Sequence, residues 1–234
     1  MDVQLHNRRA TLFTLGMLNF TETLLTKYIS EFSYLGLLPS VNKGFGIKIT
    51  PNGIEQEEVI SLDLKKLDET LKVSFGPDRI DIVSTKINET WDSFCKITKE
   101  ISDIINKIGV QYTRLALCAN VSYPLSNGQG NLAYAKLTNK EDEHPVEWQI
   151  RKVIREKFQI QEQQPVIVNH VFTLSRNDVI INTVNMADKL ILDLDFNTLV
   201  GTPIEQIAGI QDSFWMEIAN QIDKAIEHYK LIFE

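Results

Sequence analysis

Apolar residues recur along this chain with two periods, and the switching between them predicts its elements. From Phe20 to Leu35 the spacing is helical: Phe20, Leu24, Tyr28, Phe32 and Leu35 form a stripe that Leu25 and Ile29 widen. Asn19-Phe20-Thr21-Glu22 supplies a start signal, and Gly36 and Pro39 end the helix. Residues 8–18 before it read as a strand. Residues 44–85 switch to alternation: IKIT and VISLDL flank Pro51-Asn52-Gly53, and LKVSF and RIDIVS flank Gly76-Pro77-Asp78.

A second helical stripe follows over 89–108, built from Trp91, Phe94, Cys95, Ile101, Ile104, Ile105 and Ile108, with Gly109 as its stop. VQYTRLALCANVSY then reads as a long strand ended by Pro124. Residues 125–145 are polar, with Gly128, Gly130 and Glu141-Asp142-Glu143, and predict a mobile surface loop. Pro145 opens a predicted helix over VEWQIRKVIREKF. Its apolar positions are Ile150, Val153, Ile154 and Phe158, and Arg151, Lys152, Arg155 and Lys157 lie mostly off that stripe. VIVNHVFTLS and DVIINTVNM predict a hairpin around Arg176-Asn177, and LILDLDF a last strand.

Thr202-Pro203-Ile204-Glu205 combines an N-cap, a first-turn proline and a capping carboxylate. Helical spacing then runs almost to the end of the chain. About 30 residues at 1.5 Å each make a rod of roughly 45 Å, with Gly209 as the expected point of bending or splitting. The order of elements predicts an α+β fold, with a mixed, largely antiparallel sheet packed by helices and a long C-terminal helix. It forms a single domain, or two closely packed halves (1–124 and 146–234) joined by the 125–145 loop.

Composition adds limits. With 234 residues and 43% hydrophobic content, the chain can bury roughly three-quarters of its unfolded surface. A net charge of −7 disfavours phosphate backbones and anionic lipid as partners. No apolar run approaches the roughly 20 residues of a bilayer span. Arg8-Arg9 before ATLFTLGML imitates a leader, but a helix start follows at once and no small-residue cleavage site does, so a cytoplasmic protein is expected. Cys95 and Cys118 have hydrophobic neighbours and no metal or redox spacing, and are expected as buried thiols.

Candidate chemistry is sparse. In LILDLDFNT, Leu190, Leu192, Leu194 and Phe196 alternate with Ile191, Asp193, Asp195 and Asn197, so both carboxylates share the wet face of a strand. Two strand carboxylates can hold a divalent cation, but phosphoryl-transfer chemistry also needs a third carboxylate and a phosphate cradle. The solvated-face reading is therefore preferred to a metal site at Asp193 and Asp195. Asp78 and Asp81 lack the (Asp/Glu)-x-Lys partner of a nuclease motif, and Asp78 reads as a turn residue. The four histidines are scattered without ligand spacing, and no nucleophile elbow is present. Arg151, Lys152, Arg155 and Lys157 form the one candidate anion- or partner-binding face. Phe214 and Trp215 widen the apolar surface of the last helix and are candidates for a subunit interface. Nothing calls for a cofactor.

LKVSFGPDRIDIVS, the Trp91-containing helix and VQYTRLALCANVSYP together resemble the central module of a sporadically distributed family of uncharacterised bacterial proteins of about this size. LILDLDFNT and the final helix match that family's LDID-like strand and closing helix in order. The resemblance covers about two-thirds of the chain by order and spacing. TRLALCANVSY departs from it by lacking the family's Arg-Tyr-Ile-Asn run. The resemblance implies a bacterial cytoplasmic origin and a similar fold, and a sporadic distribution suggests defence-associated genes. The expected function is a non-catalytic protein-interaction subunit or sensor that binds a protein partner or itself. The alternatives are metal-dependent nucleotidyl transfer or nuclease-like cleavage through Asp193 and Asp195, and nucleic-acid binding through the 151–157 helix.

Overall fold

The computed structural model describes residues 3–233 except 17, 19, 51–52, 127, 144, 160–164, 177–179, 182–183 and 186–188. Alternation produces one nine-stranded antiparallel sheet. Its strands are β1 (Gln4–Thr14), β2 (Leu38–Thr50), β3 (Gly53–Lys65), β4 (Leu71–Phe75), β5 (Arg79–Ser84), β6 (Tyr112–Pro124), β7 (Trp148–Phe158), β8 (Val166–Arg176) and β11 (Lys189–Thr198). Across the sheet the order is β2-β3-β4-β5-β1-β6-β11-β8-β7. Strands of the first and second halves of the chain therefore share one sheet, joined where β6 pairs with β11. Two short strands, β9 (Ile180–Ile181) and β10 (Val184–Asn185), pair with each other.

Along the central strands alternate residues point to one face and are buried there: Ala10 and Leu12, Leu71, Val73 and Phe75, Leu115, Leu117 and Val121, and Leu190, Leu192, Leu194 and Phe196. All four helices cover this face. They are α1 (Glu22–Phe32, continued by a 3₁₀ turn to Leu35), α2 (Trp91–Ile108), α3 (Gln129–Thr138) and α4 (Ile204–Phe233). Phe32 and Tyr28 of α1 meet Phe75 edge-on, at 5.8 and 5.1 Å between ring centroids. Tyr123 of β6 donates to the Ile226 carbonyl of α4 (3.0 Å), and Tyr134 of α3 packs on Trp148 of β7. Thr21 caps α1 by accepting from the Leu24 amide, Thr90 caps α2, and Gly109 ends α2 in the left-handed conformation. The α4 helix is continuous through Gly209, and the Thr202 hydroxyl before it turns back to the Leu199 carbonyl. No helix of the described residues is long and apolar enough to cross a membrane.

Three expectations are corrected. Residues 148–158 form strand β7, where a helix was predicted. Trp148, Ile150, Ile154 and Phe158 satisfy period two as well as they approach period 3.6, and pairing with β8 from Trp148↔Arg176 to Phe158↔Val166 settles which period is used. The 125–145 segment holds a helix, α3, whose Gly130 lies so close to Arg176 that a Cβ there would stand 2.5 Å from the guanidinium carbon. Arg176 also binds the Asn131 side chain (2.9 Å) and the Pro145 carbonyl (3.1 Å), which pins α3 to the sheet. Finally, β8 pairs with β7 and β11; the predicted partner DVIINTVNM lies partly outside the described residues, and its described residues Ile180–Ile181 pair with Val184–Asn185.

His170 of β8 sits on the covered face, stacked on Phe196 with 4.3 Å between centroids and 7° between planes. Its Nε2 is buried without a hydrogen-bonding partner among the described residues. Burial lowers its pKa below the ordinary value near 6.5, although Glu156, 3.8 Å away, acts in the opposite sense. A histidine with a lowered folded pKa contributes fully above its unfolded pKa and loses stability as pH falls through that value. Denaturant unfolding should therefore show stability declining from about pH 7 toward pH 5, and His170→Phe should reduce that decline. Trp215→Ala, which empties a fully buried site on α4, should cost about 3–5 kcal/mol in the same measurement.

Candidate functional site

The face of the sheet opposite the helices carries most of the polar residues singled out by the sequence. Register places Arg9, Cys118, Asp195, Val171 and Val153 on one rung, and Thr11, Ala116, Asn197, Asn169 and Arg155 on the next. Asn120, Asp193, Thr173 and Arg151 form a third. Side chains connect across the strands. Arg155 Nε donates to Asn169 (3.0 Å), Asn169 to Asn197 (3.1 Å), and Asn197 to Asp195 Oδ1 (3.0 Å). Cys118 Sγ also approaches Asp195 (3.7 Å), and Arg9 donates to that sulfur (3.5 Å).

Asp193 and Asp195 do share the uncovered face, as the alternation predicts. Their neighbours are amides: Asp193 accepts from Asn120 (2.5 Å) and Asp195 from Asn197. Among the described residues no group of three His, Cys, Asp or Glu side chains gathers to hold a metal ion. Asp81 is occupied by the Thr11 hydroxyl (2.6 Å) and Arg79 (3.0 Å). Both thiols are free and buried. Burial, assisted by Asp195, pushes the Cys118 thiol up to about 12, and burial with Asp92 does the same for Cys95. Neither is a nucleophile at neutral pH. A groove of about 960 Å³ along α3 is lined by Asn131, Leu132, Lys136 and Asp142 among others, and Lys136 is held by the Ile232 carbonyl (2.6 Å).

Two predicted surfaces change character. Arg151, Lys152, Arg155 and Lys157 do not line a helix: they lie on β7, the edge strand, with Arg151, Arg155 and Lys157 on the uncovered face and Lys152 on the other. Four cations in seven residues deter another strand from adding to that edge. Phe214 and Trp215 are fully buried in this chain's own core, Trp215 packing edge-on against Phe214 at 5.2 Å. Their width serves the contact between α4 and the sheet, so these two side chains are not themselves exposed to a subunit.

The opposite edge holds what the sequence reading missed. β2 pairs with β3 along its whole length, but β4 reaches only Leu62–Lys65 of β3. From Asn42↔Ser61 to Thr50↔Gly53 the hairpin projects beyond the sheet as a two-stranded arm, nine residues and about 30 Å long. Val41, Phe45 and Ile47 on β2, with Lys43 among them, share a face with Ile54, Ile60 and the core residue Leu62 on β3. The arm thus continues the apolar face of the sheet past the reach of α1. Phe45, Ile47 and Ile54 are each 76% exposed. The available signal was the alternation in GFGIKI, which marks a strand and is silent on whether anything covers it.

No known protein-family model matches the chain, and no curated protein resembles it in sequence. If the carboxylates are held by amides rather than poised for a cation, millimolar Mg²⁺ or Mn²⁺ should leave the melting temperature unchanged. A rise that Asp193→Asn abolishes would favour the metal site.

Proposed function

We propose that this is a non-catalytic protein-interaction subunit, and that the β2–β3 arm is its docking element. The observation that carries this reading is the exposure of Phe45, Ile47 and Ile54 on one face of a ribbon that has no neighbouring strand among the described residues. A two-stranded ribbon alone in water is marginally stable. Three large apolar side chains held three-quarters exposed on it make a patch on the order of 400 Å², within the range that marks functional surfaces. Solvent alone gives no physical reason to place them there; a partner does.

The uncovered sheet face fits the same reading. Its polar groups are mutually hydrogen-bonded and presented on rigid strands, which suits a polar contact surface better than acid–base chemistry. A bacterial cytoplasmic setting and a place in a defence-type system are supported by the family resemblance of the central module and the closing strand and helix.

The test is retention on affinity beads of tagged protein expressed in its native host. The unmodified chain should hold a stoichiometric companion, either another protein or an untagged copy of itself. The double variant Phe45→Lys/Ile47→Lys should lose it while keeping its circular dichroism spectrum. Equal retention by both would remove the arm from the proposal, and turnover of any substrate lost on a point change would end the non-catalytic reading.

A further inference from the structure

We propose that the uncovered face of the sheet docks the phosphate backbone of a nucleic-acid duplex. This surface is separate from the β2–β3 arm and does not depend on it. On strands β1, β6, β11, β8 and β7 it presents the cations Arg9, Arg114, Lys189, Arg151, Arg155 and Lys157 against two carboxylates, Asp193 and Asp195. The chain as a whole carries a net charge of −7, so positive charge gathers here against the overall balance.

Ion pairing separates this face from the rest of the molecule. On the helical side Lys96 stands beside Asp92, Lys99 beside Asp212 and Lys107 beside Glu31. On the farther strands Lys72 is paired with Asp63 and Arg79 with Asp81. None of the six cations named above forms an ion pair among the described residues. Arg9 is bound to the neutral Cys118 sulfur and Arg155 to the Asn169 amide oxygen. Arg114 lies over the Phe13 ring at 4.2 Å, and its Nε is buried without a hydrogen-bonding partner among the described residues. The two carboxylates are instead bound by amides, Asp193 by Asn120 and Asp195 by Asn197. The face therefore keeps a positive charge that its own side chains do not neutralise.

The cations stand in two columns. Arg9 and Arg114 are on the neighbouring strands β1 and β6, and Arg151, Arg155 and Lys157 are on β7, three strand spacings or about 14 Å beyond β6. Arg151 and Lys157, six residues apart, span about 20 Å along β7. Asn120, Asn169, Thr173 and Asn197 lie between the columns, short neutral groups that donate and accept hydrogen bonds. Cations flanking a floor of amides and hydroxyls suit phosphates and sugars, which take most protein–DNA hydrogen bonds. Nucleic-acid interfaces are more polar and more positive than those between proteins, whose centres are apolar. Single strands are held by stacking on open aromatic rings. Among the described residues the one Phe, Tyr or Trp ring on this face of the five strands is Phe13, already covered by Arg114. A duplex held through its phosphates, without sequence preference, fits what is present.

Fluorescence anisotropy of the full chain with labelled duplexes of about 24 base pairs, DNA and RNA, tests this. About five phosphate contacts predict a log–log salt slope of about −4 to −5, a loss of a few hundredfold between about 50 and 200 mM salt. Arg151→Gln/Arg155→Gln/Lys157→Gln should flatten that slope by about three, with an unchanged circular dichroism spectrum and sedimentation coefficient. Arg9→Gln, four strands from that edge, should flatten it by about one. Asp193→Asn should tighten binding severalfold. Lys96→Gln/Lys99→Gln/Lys107→Gln alters the net charge equally on α2 and should leave affinity and slope unchanged. No binding at about 50 mM salt, an unaltered slope in the β7 variant or an equal loss in the α2 variant would each overturn the proposal. So would tighter capture of the single strand of the same length, or of vesicles of equal parts phosphatidylserine and phosphatidylcholine. If the β7 variant aggregates at its unguarded edge, the opposite effects expected of Arg9→Gln and Asp193→Asn decide the matter.

Discussion

The structure depends on one constraint: a nine-stranded sheet must bury one face, and a single long helix does most of that work at its centre. β6 pairs with β1 on one side and β11 on the other, so its backbone polar groups are satisfied within the sheet. Its apolar face is sealed by α4, which brings Phe214, Trp215, Ile218 and Ile222 down onto it. α2 lies beside α4 and α1 beside α2, while α3 closes the other flank. Removing α4 would expose the centre of the sheet rather than a margin.

The helical layer is shorter than the sheet it covers, and the functional reading follows from that mismatch. Where helices reach, apolar side chains are core; where β2 and β3 run past α1, the same alternation becomes an exposed patch. The chain treats its two edges differently. β7 carries Arg151, Lys152, Arg155 and Lys157 against unwanted pairing, whereas β2 places Phe45 and Ile47 between only two cations, Lys43 and Lys48. The uncovered face between them is a connected polar surface in which amides occupy the carboxylates.

Much of the fold was legible because period and punctuation agreed. The α2 stripe with Gly109 behind it, the antiparallel pairing of β2 with β3 and of β4 with β5, and the leucines of β11 all appear where the spacing places them. The reading failed at β7, where Ile150, Val153, Ile154 and Phe158 approach helical spacing and only the partner strand breaks the tie. At α3, Gly128 and Gly130 suggested a loop, yet Gly130 is small because Arg176 passes over it. The candidate site was half legible: the shared face of Asp193 and Asp195 follows from strand geometry, and Asn197 lies only two residues beyond Asp195, but the amide partner of Asp193 is Asn120 on β6, far away in the sequence.

By itself the sequence determined the element types with strong periodicity, the α+β class, the buried thiols and the inward and outward faces of β11, because these depend on local spacing and polarity. Only the tertiary structure decided that Trp215 is core and not interface, that the basic run guards an edge, and that the β2–β3 hairpin outruns its neighbour to leave Phe45 and Ile47 bare. Burial is a relation between segments far apart in the chain. An alternating strand carries the same signature whether or not another element comes to cover it.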